Sequence, residues 1–253
     1  PMHAPFAPMI VDQPKIPAPT CYLDRDDLSD HDRGLKYANM LEAEIIKQGP
    51  ETVLGFIMEP VGGAATGALV APDSYYARIR EICDQYGILL IYDEVMTGAG
   101  RTGTYFAAEH WGITPDILAV SKGLAAGYAP LGAMIAPDRI VGPILDHGGF
   151  IHGYTYAGNP LACAAGNAVL DVIDEDNLLE NAANSGAALK DALCGLADDF
   201  TMIGDVRGKG LLLAIELVKN RTSMEPIDPK HMAAARLVDI AYDLGLIIYW
   251  RRT

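Results

Sequence analysis

"PDSYYARIREICDQYGILLIYDEV", residues 72–95, carries an apolar stripe at Tyr76, Ile79, Cys83 and Tyr86, then Gly87, then an unbroken apolar run that ends at Asp93. The stripe predicts a helix with Asp73 as N-cap and Gly87 beyond its end, and the run predicts a strand. Upstream, "VLGFIMEP" (53–60) is a second apolar run, ending at Glu59, and downstream "ILAVSKG" (117–123) is a third, ending at Lys122. Strand, helix, strand with continuously apolar strands predicts a parallel pair buried on both faces and joined by a right-handed crossover. Only "GLAAGYAP" (123–130) separates the third run from "LGAMIA" (131–136). That is too short for a crossover, so this last strand is expected to run antiparallel.

Outside this core, "LKYANMLEAEIIKQG" (35–49) has helical spacing and a glycine stop. Asn159 followed by Pro160 reads as an N-cap and first helical residue, opening one long helical stretch to about Ala197. "VRGKGLLLAIELV" (206–218) reads as a strand after a glycine turn, "DPKHMAAARLVDIAYDLG" (228–245) as a capped helix, and "LIIYW" (246–250) as a final strand. The expected division is a large α/β domain over 1–158, a helical connection over 159–197 and an incomplete small α/β domain over 198–253. Six prolines among the first nineteen residues, and an end that stops on a strand, read as a fragment of a longer protein.

With 253 residues, half of them hydrophobic, the chain can bury a sizeable core. Nineteen basic against thirty-three acidic residues give a net charge of −14, which argues against nucleic acid and anionic membranes as partners and for small molecules. No uncharged stretch has the length of a spanning helix and the start lacks a signal-peptide pattern, so the expected location is cytoplasmic. Cys21, Cys83, Cys163 and Cys194 lie far apart without a CxxC, which predicts structural thiols and no metal site.

Three core runs end in Glu59, Asp93 and Lys122, 34 and 29 residues apart. Parallel strands of an open α/β sheet point their carboxyl ends at one edge, so the three ionisable groups should converge there. A lysine in a partly desolvated pocket loses proton affinity and becomes a nucleophile toward carbonyls, which is Schiff-base chemistry. A fixed aspartate nearby can keep the ring nitrogen of pyridoxal phosphate protonated. Thr155, just ahead of the helix that opens at Pro160, offers a hydroxyl beside a helix N-terminus, where anions are favoured.

"EPVGGAATGALVAP" (59–72), "LLIYDEVMTGAGRTG" (89–103), "PDILAVSKGLAAGYAPLGA" (115–133) and "HGYTYAGNPLACAA" (152–165) together resemble the class III pyridoxal-phosphate aminotransferases, the group that includes ω-amino acid:pyruvate and taurine:pyruvate enzymes. The resemblance runs in order from roughly Ala18 to Trp250. It implies the fold-type-I large domain, a mostly parallel sheet between helices, plus part of a smaller C-terminal α/β domain. It further implies pyridoxal 5'-phosphate as cofactor, Lys122 as the aldimine lysine, Asp93 as partner of the pyridine nitrogen, Val95 against the ring face and Glu59 as a supporting or gating acid beside cofactor and substrate. Thr155 would reach the phosphate of the cofactor in the neighbouring subunit, which implies a homodimer with shared sites.

Met96 stands where many relatives carry a glutamine and cannot donate to the ring hydroxyl. The implied reaction moves an amino group from an ω-amino acid or amine to a 2-oxo acid, with pyruvate favoured. An aminomutase on the same scaffold and a catalytically silent truncated chain are the alternatives. The family's phosphate-cupping loop and ring-stacking aromatic have no counterpart in the sequence, so the chain alone is expected to hold cofactor weakly. Arg251 and Arg252 are not assigned to the site.

"GAGRTG" (98–103) is a literal G-x-G-x-x-G after a strand. A dinucleotide site is disfavoured because Asp93 and Glu94 would face an incoming pyrophosphate and because Asp116 precedes a strand instead of ending one. The glycines are expected to serve a tight turn. "AVSKG" lacks the first glycine of a hydrolase elbow, no P-loop occurs, and neither His110 nor His152 has metal-ligand spacing.

Overall fold

The computed structural model describes residues 4–250, so Arg251 and Arg252 lie outside the described residues. Two sheets organise the chain. Strands β1 (Gly55–Met58), β2 (Leu89–Asp93), β3 (Ile117–Val120) and β4 (Ala133–Ile135) pair in that order. The first three are parallel, and β4 is antiparallel to β3, as the short connection demands. Helices α1 (Asp30–Gln48) and α2 (Asp73–Tyr86) pack against one another over this sheet.

Period-2 alternation decides which strand residues meet those helices. Leu90 and Tyr92 of β2 are completely buried, in one cluster with Leu41 and Ile45 of α1 and Tyr76, Ile79, Ile82 and Cys83 of α2. Leu89, Ile91 and Asp93 face the other way and are only half-buried, while Ile57 of β1 stays 62% exposed. The continuous apolar runs predicted cover on both faces; the described residues cover one.

Helix α2 ends as expected, with Gly87 left-handed at φ 66°. Its start is different: Pro72 is the N-cap, and Asp73, already helical, accepts a hydrogen bond from Trp111 Nε1 instead of capping (3.0 Å). The Trp111 ring in turn stacks on Tyr76 at 3.7 Å between centroids.

The later elements depart further from the expected pattern. Helix α3 (Asp138–Asp146) follows β4. The long helical stretch is two helices, α4 (Pro160–Glu175) and α5 (Leu178–Asp199), broken where Asn177 turns left-handed at φ 53°. Asparagine tolerates that conformation better than other side chains, and it sits in the polar run 174–177. "VRGK" is itself strand: β5 (Ile203–Lys209) pairs antiparallel with β6 (Leu212–Asn220), and the short β7 (Glu225–Pro226) completes the second sheet. Asp228 caps only a 3-10 turn, and Met232 at φ 46° delays helix α6 to Ala233–Asp243. "LIIYW" forms no strand: it pairs with no neighbour among the described residues, and an extended run cannot satisfy its backbone alone. Among the described residues no helix is long and apolar enough to cross a membrane.

Asp116 ties the large sheet to its helices. Its Oδ2 accepts from the Leu90 amide and from Arg80 (both 2.8 Å), and its Oδ1 accepts from Arg139. Burial works to raise the carboxyl's pKa, but the Leu90 amide and the two guanidiniums outweigh it and hold it below the usual carboxylate range. The stability this gives is present above the unfolded-state pKa of about 4 and lost as pH falls through the lower folded value. Asp116→Asn is therefore expected to lower the urea midpoint at pH 7, with the gap to the native protein narrowing on acidification through pH 4. A gap of constant size between pH 7 and pH 3.5 would remove the ion pairs from the account.

Candidate active site

The carboxyl ends of β1, β2 and β3 lie side by side. Met58 pairs with Tyr92, so Glu59 and Asp93 are the next residues on neighbouring strands. Asp93 pairs with Ala119, and Lys122 lies two residues beyond the end of β3. The edge predicted from the three runs is thus formed, with Glu59, Asp93 and Lys122 on adjacent strands at the same end of the sheet.

Local structure fixes how each is presented. Asp93 is half-buried, and its Oδ1 accepts from the Val95 amide at 3.0 Å, while Oδ2 meets no protein donor among the described residues. The next residue, Glu94, shares its parity with Leu90 and Tyr92 and points into the core with no exposure at all. It accepts from Thr97 Oγ1 (2.7 Å) and from the Ala107 (2.7 Å) and Ala108 (2.9 Å) amides. Burial pushes its pKa above the ordinary range, against the pull of those three donors. This acid clamps the turn after β2 onto the 3-10 turn Ala107–Trp111, and so sets the direction in which Asp93 leaves the strand. Sequence reading set Glu94 beside Asp93 as an acid facing the following turn; its full burial corrects that, and strand alternation alone marks it as the inward residue of the pair.

Lys122 opens a 3-10 turn (Lys122–Ala125) and has φ 45°, a left-handed conformation that costs a non-glycine residue about 1–2 kcal/mol. The loop is closed beneath it by Ser121 Oγ donating to Leu131 O at 2.8 Å. Two neighbouring residues share the strain: Ala126 at φ 48°, and Ala99 at φ 58°, against whose side chain a Cβ on Gly123 would close to 3.1 Å. Strain gathered in this way is typical of places where function overrides propensity. The "GAGRTG" segment supplies one wall of the turn and is followed by no α-helix, which leaves a pyrophosphate no helix N-terminus to bind.

Two of the expected site residues stand open to solvent in this chain. Lys122 is exposed, because the described residues place no cover over the open face of the sheet at this edge. Thr155 is exposed in a turn ahead of α4, with no hydrogen bond to Glu59, Asp93 or Lys122. The amides at the start of α4 are also taken: Asn159 Oδ1 accepts from Leu161 (3.0 Å) and Ala162 (3.2 Å), so this N-terminus is already satisfied without an anion.

Among the described residues neither Asp93 nor Lys122 enters an ion pair. An amine and a carboxylate at one sheet edge, neither neutralised, suit a ligand with a carbonyl and a protonatable ring nitrogen. Glu59 Oε2 accepts from the Gly63 amide at 3.0 Å, and a Cβ on Gly63 would lie 2.6 Å from Glu59 Oε1 and 3.1 Å from Met96 Cγ. Gly63 therefore keeps the space between Glu59 and Met96 that any side chain would fill.

The model for aminotransferase class-III matches residues 1–251. The taurine–pyruvate aminotransferase of Bilophila wadsworthia is 38% identical over 97% of this chain and 54% of its own length. An (S)-enantioselective omega-transaminase from Thermomicrobium roseum superposes with a TM-score of 0.88 at 39% identity, covering 94% of this chain and 55% of that one. An amine transaminase from an uncultivated Pseudomonas species, solved in its PLP-bound form, does so with a TM-score of 0.86 at 41% identity, over 91% and 53%. The chain spans about half the length of the curated relatives it matches.

Proposed function

The chain belongs to the class-III aminotransferases, and from that premise we propose that its parent protein is a pyridoxal-phosphate-dependent transaminase passing an amino group from an ω-amino acid or amine to a 2-oxo acid, with pyruvate the favoured acceptor. The observation that carries the reading is that Asp93 ends β2 and Lys122 follows the adjacent parallel β3 at the same end of the sheet, both without ion-pair partners among the described residues. The names of the taurine–pyruvate enzyme and of the PLP-bound transaminase structure support the substrate class and the cofactor.

The residues present fit the cofactor by the chemistry of the donor set: a primary amine, a carboxylate with one open oxygen, and a side-chain-free gap at Gly63 between Glu59 and Met96. When bound, pyridoxal phosphate supplies an aldehyde and an electron sink for the carbanion at the amino-bearing carbon. Lys122 Nζ is the amine that would hold the cofactor's aldehyde carbon and, when free, would take the proton from the substrate's amino-bearing carbon as base and deliver it to that cofactor carbon as acid. Asp93 would keep a proton on the ring nitrogen, and the Val95 amide, donating to Asp93 Oδ1, holds that carboxylate in place. Val95 would offer its side chain to the ring face, and Glu59 would stand beside the substrate.

Thr155 completes the phosphate site of a second subunit, which makes the working unit a homodimer. Its exposed turn, with Ile151, Tyr154 and Tyr156 also exposed, is available for that contact. Borohydride reduction of the full-length protein with pyridoxal phosphate is expected to place the label on Lys122 alone. An amine-donor panel should then show turnover with pyruvate. A label spread over surface lysines, or a panel inert with both pyruvate and 2-oxoglutarate, would overturn the reading.

A further inference from the structure

Arg207 of β5 is the most heavily engaged cation in the described residues outside the site. Its side chain is 10% exposed, and its guanidinium donates to Asp205 Oδ2 (3.0 Å), Glu216 Oε2 (2.8 Å), Gly67 O (2.7 Å) and Thr66 O (3.3 Å) while lying 4.3 Å from the Tyr22 ring centroid. The two carboxylates balance its charge. The two carbonyls are a separate matter, because they belong to the loop that follows Glu59.

That loop is held at its stem and at its tip. At the stem, Tyr76 Oη donates to Pro60 O (2.7 Å) and accepts from the Ala71 amide (3.1 Å), and the Gly62 amide donates to Leu69 O (2.8 Å). At the tip, the Thr66 and Gly67 amides donate to Gly63 O (3.2 and 3.0 Å), forming a turn that leaves Gly67 at φ 65° and Ala68 at φ 51°. Two successive left-handed residues need an outside hold, and Arg207 grips the carbonyls beside them. Gly63, the first residue of the same turn, donates its amide to Glu59 Oε2.

We propose that Arg207 is a positioning residue: by fixing the Gly63–Gly67 turn it sets the orientation of the Glu59 carboxylate at the catalytic edge, so that the C-terminal hairpin controls how the amino donor is received. The proposal rests on the reading that Glu59 stands beside the substrate. Arg207 touches neither Lys122 nor Asp93, so it acts on the donor half-reaction and leaves the binding of the cofactor to Lys122 unchanged.

The test uses the full-length holoenzyme. Arg207→Lys keeps a positive charge between Asp205 and Glu216 but loses the planar fork that reaches both carbonyls. It is expected to lower kcat/KM for the amine donor by about ten- to a hundredfold, the scale of a misplaced group, with an unaltered cofactor absorbance. Glu59→Gln should do the same, and the double variant should be no worse than Glu59→Gln alone.

Gly67→Ala, whose Cβ would lie 2.9 Å from Arg207 Nη2, strains the same contact from the loop side and should reproduce the loss if the arginine variant fails to fold. Asp205→Asn removes a counter-carboxylate without touching the loop and should cost stability but not rate. Near-normal kinetics in Arg207→Lys, or losses that multiply with Glu59→Gln, would overturn the proposal while leaving Glu59's role standing. A near-normal Glu59→Gln would overturn both.

Discussion

Lys122→Ala is expected to abolish multiple turnover in the full-length protein, a loss of at least about ten-thousandfold, the upper range for a positioned acid–base group. Among the described residues, the other ionisable groups at the ends of the three parallel strands are Glu59 and Asp93, both acids. The fold should not notice the change, because Lys122 is exposed and makes no ion pair among the described residues. Its backbone sharpens the expectation. At φ 45° the lysine occupies a conformation that glycine adopts freely, so Lys122→Gly should be as dead as the alanine variant yet equally stable or more so, by about 1 kcal/mol. A residue kept for packing would lose stability on truncation to glycine. A few per cent of residual turnover in either variant, or a lowered melting temperature in the glycine variant, would contradict the assignment.

The sequence is legible where one rule dominates. Runs such as "ILLIYDEV" combine continuous apolarity with a charged end, and β1, β2 and β3 with their shared edge follow from that; the antiparallel β4 follows from loop length alone. Legibility fails where partners decide. "LIIYW" has a strand's composition, but a strand needs a neighbour, and none among the described residues pairs with it. "VRGK" looks like a turn because of Gly208, yet its pairing with Leu213 draws the glycine into β5.

The break at Asn177 depends on a single left-handed residue inside an otherwise helical pattern. In the site, Asp93 and Lys122 stand out as charges at the ends of apolar runs. Glu94 and Arg207 do not, since what makes them matter is their burial among backbone groups far away in sequence: the Ala107 and Ala108 amides for one, the Thr66 and Gly67 carbonyls for the other.

Asp93→Asn is expected to slow transamination by roughly a thousandfold or more, which at about 1.4 kcal/mol per decade is about 4 kcal/mol of lost charge stabilisation. The substitution is a narrow one. An asparagine oxygen can still accept from the Val95 amide, and the clamp made by Glu94 with Thr97, Ala107 and Ala108 is untouched, so position and fold are retained. What is lost is the negative charge on the open side of the carboxyl. An amide is neutral and cannot favour a proton on the ring nitrogen, and the electron demand that the cofactor places on the substrate carbon falls with it.

The two variants should therefore separate on a measurement that is not turnover. Asp93→Asn keeps Lys122 and should still take the borohydride label there, whereas Lys122→Ala should take none at this position. If Asp93→Asn turned over at a near-normal rate, the carboxylate would have no part in the chemistry. If it failed to label at Lys122 while remaining folded, Asp93 would be acting on cofactor binding and not on the electron sink.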